Sequence, residues 1–191
     1  DEVLMMKSGS ILIGNLAALS NPEQVELYAK QGLTVFAMEL LPRISRAQSM
    51  DVLSSQSNLA GYKAVLDAAN EYSKAFPMMM TAAGTVPPAK VLVLGAGVAG
   101  LQAIATARRL GAVVSAYDVR PIVKEQVESL GGRFVEVERD AAEDAETAGG
   151  YAKEMTDEYK ARQAEILKEA LIKADIVICT ALIPDRPAPV L

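Results

Sequence analysis

Gly95, Gly97 and Gly100 form the pattern G-x-G-x-x-G directly after the apolar run VLVL and at the opening of a helix-forming stretch. In that setting each glycine has its own task. Gly95 allows a tight turn, Gly97 lets the backbone approach a pyrophosphate, and Gly100 lets helix and strand pack closely. The helix N-terminus offers unpaired N–H groups to the anion, so no lysine is required. The next apolar run, VVSAYD, ends in Asp118, a carboxylate suited to accept hydrogen bonds from ribose hydroxyls. A carboxylate there favours NAD over NADP, because a 2′-phosphate would meet like charge. Arg120 works in the opposite sense. The competing reading is an ordinary strand-to-helix turn with a solvated Asp118, but strand, glycines, helix and acid in this order make a dinucleotide site the working expectation.

A second constellation is PRISRAQSMD at residues 42–51, continued by Val52, Leu53, Ser54 and Ser55. It places Arg43, Gln48, Asp51 and Ser54 in one short stretch between an apolar run and a long helical pattern. Two readings stand side by side. The stretch is either a solvated connector in which Asp51 caps the following helix, or a set of polar groups aimed at a ligand.

Composition narrows the chemistry. The 191 residues are 51% apolar with a net charge of −5, contain one cysteine and contain no histidine. The absence of histidine removes imidazole acid–base catalysis, Ser-His-Asp triads and His-ligated metals from these 191 residues, and no metal site is expected in them. The negative charge argues against nucleic acid as a partner. Cys179, in the apolar run DIVICTAL, reads as a small buried core residue. No apolar run approaches the roughly 18 residues that suggest a membrane span.

The elements that must position these residues alternate. GSILIGNL reads as a strand, SNPEQVELYAKQG as a helix with Ser20 or Asn21 at its cap and Pro22 in its first turn, and LTVFAMEL as a buried second strand. This β-α-β unit implies parallel pairing. DVLSSQSNLAGYKAVLDAANEYSKAF reads as a helix of about seven turns whose small residues allow another backbone to approach. PMMMTAAGTVPPAK breaks the pattern and marks a boundary near residue 80, with Met78 to Met80 as hinge packing. Four further strands then alternate with helices, which gives a doubly wound parallel sheet. The expected fold is α/β, with two Rossmann-like lobes joined by a long helix. Residues 1–80 would be a partial first lobe and residues 81–191 a nucleotide-binding lobe cut short at its end. Both are expected to be incomplete, since the second would stop after four strands of a sheet that usually has six.

PRISRAQSMD followed by SS, together with VPPAKVLVLGAGVAGLQAIATARRLGA and the closing TALIPDRPAPVL, resembles the NAD(H)-binding domain I of the alpha subunit of proton-translocating NAD(P) transhydrogenases. The resemblance implies two Rossmann-like lobes, a homodimer, and bound NAD(H) presented to an NADP(H)-binding domain of the beta subunit. It implies that Arg43, Gln48 and Asp51 lie at the nicotinamide as the catalytic positions and that Ser54 contacts the carboxamide. Gly97, Val98, Asp118, Val119 and Arg120 fall on pyrophosphate and adenosine-ribose positions, and Gly95, Gly100, Thr180 and Leu182 are also expected at the nucleotide. Tyr151, after Gly149 and Gly150, falls on the tip of a mobile loop that closes over it, with Gly150 also expected at the nucleotide. The acid-rich ERDAAEDAETAGG before Tyr151 has the composition of a solvated loop. The family implies a peripheral place at the inner face of a bacterial membrane, with proton translocation carried by membrane subunits.

Alanine dehydrogenases are similar in fold, but that family uses a histidine and a lysine in its first lobe for proton transfer. The histidine falls here near Asn15, which cannot titrate, and the lysine's segment is expected before Asp1. Hydride passing directly between two nicotinamide rings needs no base. It needs only orientation and exclusion of water. Transhydrogenation is therefore the expected function. An alanine-dehydrogenase-type enzyme and a non-catalytic NAD-binding module are the alternatives.

Overall fold

A computed structural model describes residues 2–42, 44–137 and 157–181. The chain divides into two compact units, Asp1–Gln56 and Ser57–Leu191.

The first unit begins with a short helix α1 (Glu2–Met5), followed by β1 (Ile11–Gly14), α2 (Pro22–Lys30) and β2 (Thr34–Ala37). β1 and β2 pair in parallel from Ile11↔Thr34 to Gly14↔Ala37, as the β-α-β pattern requires. Pro22 sits in the first turn of α2, where its missing N–H costs nothing. Gly32, just past the helix, has φ 67°, and a Cβ there would lie 2.7 Å from Ser8 Oγ. The apolar run predicts a buried β2, yet Phe36 is 55% exposed. The described sheet has only two strands, and alternate side chains on it point away from cover. The strand also ends early. Met38–Leu40 and Ser45–Met50 are short 3₁₀ turns leading into α3 (Val52–Glu71).

α3 stops at Glu71, short of the expected Phe76, and Tyr72 and Phe76 then meet edge to face at 6.0 Å. Its small-residue stripe has a clear use at Gly61, where a Cβ would lie 2.0 Å from the carbonyl oxygen of Ala99. That close approach ties the body of the helix to the second unit, so the division falls at residues 56–57 and not near residue 80. The stretch read as a break is an antiparallel hairpin, β3 (Met79–Thr81) with β4 (Gly84–Val86). Met78, Met79 and Met80 are exposed there instead of packing a hinge.

The second unit carries β5 (Lys90–Leu94), α4 (Val98–Arg109), β6 (Val113–Tyr117), α5 (Lys124–Ser129), β7 (Arg133–Phe134), α6 (Asp157–Lys173) and β8 (Ile176–Cys179). Its sheet is parallel in the order β7-β6-β5-β8. β5 is central and covered on both faces, which explains its unbroken apolar run. Val91 and Val93 pack with Ile104, Val114 and Val127 on one face, and Leu92 and Leu94 pack with Tyr117 and Leu167 on the other. Each such side chain contributes about 1.5–3 kcal/mol through burial. Cys179, expected in the core, is exposed. β8 is the outer strand, and the face shared by Val177 and Cys179 lacks cover among the described residues. No described helix is long and apolar enough to cross a membrane.

Candidate functional site

In the second unit, the described residues among those expected to bind nucleotide gather at the carboxyl ends of β5, β6 and β8. Gly95 has φ 95°, and its N–H donates to the Tyr117 carbonyl at 2.8 Å. This left-handed conformation turns the chain out of β5 and into α4. A Cβ on Gly100 would lie 1.8 Å from Gly95 O, so only glycine lets the first turn of α4 sit on the strand end. Gly97 differs from both. A Cβ there would meet nothing within 4 Å, and its φ of −77° suits any residue. Gly97 thus leaves open space beside the turn where a side chain would otherwise stand. Gly97 is also the N-cap of α4 and supplies no side-chain cap, so the first N–H groups of the helix have no side chain from that position. Val98, the first helical residue, is 41% exposed beside them.

Thr180 has a structural part that its spacing does not reveal. Its hydroxyl donates to Gly95 O at 2.8 Å and its N–H to Leu94 O at 2.8 Å, which buttresses the glycine turn from the neighbouring strand. Val119 packs partly buried beside Tyr117 and Leu92.

Asp118 is buried and already engaged. Its Oδ2 accepts from Ala96 N–H at 2.7 Å and from Arg120 Nη2 at 3.0 Å. Its Oδ1 accepts from Arg120 N–H at 2.8 Å and Arg120 Nε at 3.0 Å. A carboxylate offers about four acceptor positions, so any further donor would have to share this group with Arg120 or displace it. The two residues read as opposing influences on nucleotide choice thus form one bidentate pair. Beyond it lies a cavity of about 340 Å³ lined in part by Tyr117, Asp118, Phe134 and Tyr159. The hydroxyls of Tyr117 and Tyr159 are 3.1 Å apart at its wall. Lys124 and Glu136 pair at its rim, and this contact holds the ammonium above its usual range.

In the first unit, Ser45–Met50 forms a 3₁₀ turn anchored by the buried Ala47. Asp51 closes it and caps α3. Ser54 N–H donates to Oδ1 at 2.9 Å and Ser54 Oγ to Oδ2 at 2.6 Å. The cap reading of Asp51 is therefore realised, and Ser54 is bound to it. Gln48 is exposed on the same turn. Arg43, Gly150, Tyr151 and Leu182 lie outside the described residues.

Comparison with known proteins bears on this geometry. The sequence profile of the alanine dehydrogenase/PNT C-terminal domain matches residues 64–191, and that of the N-terminal domain matches residues 1–60. The chain belongs to the alanine dehydrogenase/PNT family. Within it, the chain is 65% identical over its whole length to an NAD(P) transhydrogenase alpha-subunit chain of Rhodospirillum rubrum, spanning 50% of that protein. It is 51% identical over 98% of its length to NAD(P) transhydrogenase subunit alpha of Cereibacter sphaeroides, spanning 36% of it. The chain thus spans half or less of these relatives. Among solved structures, a transhydrogenase from Sinorhizobium meliloti superposes with TM-score 0.86 at 59% identity, over 99% of this chain and 50% of that one. An L-alanine dehydrogenase shares the fold at TM-score 0.72 and 24% identity, over 99% and 46% of the two chains. The expected resemblance to transhydrogenase alpha chains therefore extends through both units, and the α/β fold with parallel sheets is the one these structures share.

Proposed function

We propose that the chain is the NAD(H)-binding portion of a transhydrogenase, which passes hydride directly between NAD(H) and NADP(H) held by the beta subunit. The observation that carries this reading is the turn at Gly95, Gly97 and Gly100, with open space at Gly97 and the Asp118–Arg120 pair at the next strand end. Its support in kind is the similarity of this chain, over its own 191 residues, to half of a transhydrogenase alpha-subunit chain.

The residues present fit a dinucleotide. Backbone N–H groups at Gly97 and Val98 would meet the pyrophosphate, and the Asp118–Arg120 pair would meet the adenosine ribose. The reduced nicotinamide supplies the hydride. The chain's task is to hold that ring and to keep water away, with Arg43 and Asp51 orienting it, Ser54 meeting the carboxamide and Gln48 reaching toward the second nucleotide. None of these groups needs to titrate, which suits a chain without histidine. The whole protein would work as a homodimer at the inner face of the cell membrane, with proton movement carried by membrane subunits.

Alanine dehydrogenase activity is the second reading, favoured by the shared fold. The test uses the full-length protein with an NADP(H)-binding partner subunit. NADH should reduce an NADP analogue in that mixture, and alanine with NAD should yield no NADH. Turnover of alanine without the partner would establish the second reading instead.

A further inference from the structure

Glu39 lies in the 3₁₀ turn Met38–Leu40 that follows β2, and its carboxylate reaches across to the loop leaving β1. Leu16 N–H donates to Oε2 at 3.1 Å and Ala18 N–H to Oε1 at 2.9 Å. Between these donors Ala17 has φ 49°, the positive-φ non-glycine residue among those described. An L side chain adopts that conformation only where its surroundings hold it there. Here the holding group is identifiable. Successive N–H groups of a loop with one left-handed residue form a concave anion site, and a carboxylate of the same chain fills it. Burial works to raise the acid's pKa, but the N–H groups of Ala18, Glu39, Leu16 and Ala17 outweigh it and hold it below its ordinary value.

The place of this clamp gives it a consequence. In parallel sheets ligands meet the loops beyond the carboxyl ends of the strands. Asn15 follows β1, and the polar turn with Gln48 and Asp51 follows β2 through Glu39 itself. One side chain therefore joins the two loops that leave the carboxyl edge of this sheet. We infer that Glu39 is a positioning residue for hydride transfer, fixing the loop after β1 against the segment that carries Gln48 and Asp51. The inference rests on the proposed role of that segment at the nicotinamide. Glu39 touches neither ring in this account. It acts through the backbone it holds, and small misplacements of an orienting group slow a transfer step far more than they weaken binding.

The test compares wild type, Glu39→Gln and Glu39→Ala in the full-length protein reconstituted with its NADP(H)-binding partner. NADH affinity should stay within about twofold while transfer at saturation slows roughly tenfold or more in Glu39→Ala. Glu39→Gln keeps one acceptor oxygen and should fall between, at roughly threefold. Equal transfer rates in all three proteins, or a loss of NADH affinity that matches the loss of rate, would overturn the inference. Should Glu39→Ala fail to fold, Glu39→Gln suffices with amide exchange as the second readout. Faster exchange at Leu16 and Ala18 together with slower transfer supports the role, and unchanged exchange or unchanged transfer overturns it. A wild-type protein that transfers no hydride would sink the proposed function, whereas active wild type with equally active variants would sink only the role of Glu39.

Discussion

Gly97→Ala and Gly100→Ala each add one methyl group, three positions apart in one turn, yet they should separate ligand binding from folding. At Gly100 the added Cβ would lie 1.8 Å from Gly95 O and 2.9 Å from Thr180 Oγ1. Backbone cannot yield cheaply there, so the turn and the first coil of α4 must shift. Overpacking of this kind costs about 1–3 kcal/mol, and more where the obstacle is main chain. At Gly97 the same methyl meets no atom within 4 Å and the φ of −77° is already suitable. Exchanging a glycine cap for alanine should change stability by no more than about 1 kcal/mol. In the proposed binding mode the methyl would nevertheless stand where a pyrophosphate reaches the N–H groups, so NADH affinity should drop at least about tenfold, or about 1.4 kcal/mol. Urea unfolding of both variants and fluorescence titration with NADH read the two quantities separately. Wild-type NADH affinity in a folded Gly97→Ala protein would refute the idea that the anion approaches there. Unchanged stability in Gly100→Ala would refute the packing argument.

Thr180→Val removes the hydroxyl that holds Gly95 O, which should cost about 1–3 kcal/mol in urea unfolding and weaken NADH binding with it. Asp118→Asn leaves two of the four donors on this buried group without a good acceptor, so stability should fall by a similar amount, about 1–3 kcal/mol, measured the same way. Asp51→Ala removes the cap of α3 and should cost about 0.5–2 kcal/mol, whereas Asp51→Asn should recover most of it. Glu39, whose pKa in the folded chain lies below its ordinary 4.5, contributes stability that is fully present above that value. That contribution is lost as pH falls through the folded pKa. Parallel urea titrations should therefore show wild type and Glu39→Gln converging in stability on acidification.

Elements whose cause is local are legible in the sequence. The unbroken run VLVL announces a strand, and the glycine spacing announces the turn after it. Asp51 can be read as a cap because the group it satisfies lies three residues on. Part of what escapes depends on distant partners. Thr180 meets a carbonyl 85 positions away, and Glu39 meets N–H groups 21 and 23 positions back, so no local pattern marks either. The hairpin at Met79–Val86 is hidden by the prolines on both sides, which suggest a linker. Cys179 is misplaced because an apolar run reads the same in a central strand as in an outer one. Arg120 reads as a rival to Asp118 because only the folded chain brings the two together as a pair.

Direct passage of hydride between rings predicts the fate of an isotope. NADH deuterated at the transferred position of C4 should be mixed with the full-length protein, its NADP(H)-binding partner and oxidised NADP analogue, and the reduced product analysed by mass spectrometry. The account predicts that the deuterium arrives intact on the product and none enters water. Deuterium lost to solvent, or a reduced product carrying a solvent proton at that carbon, would contradict it.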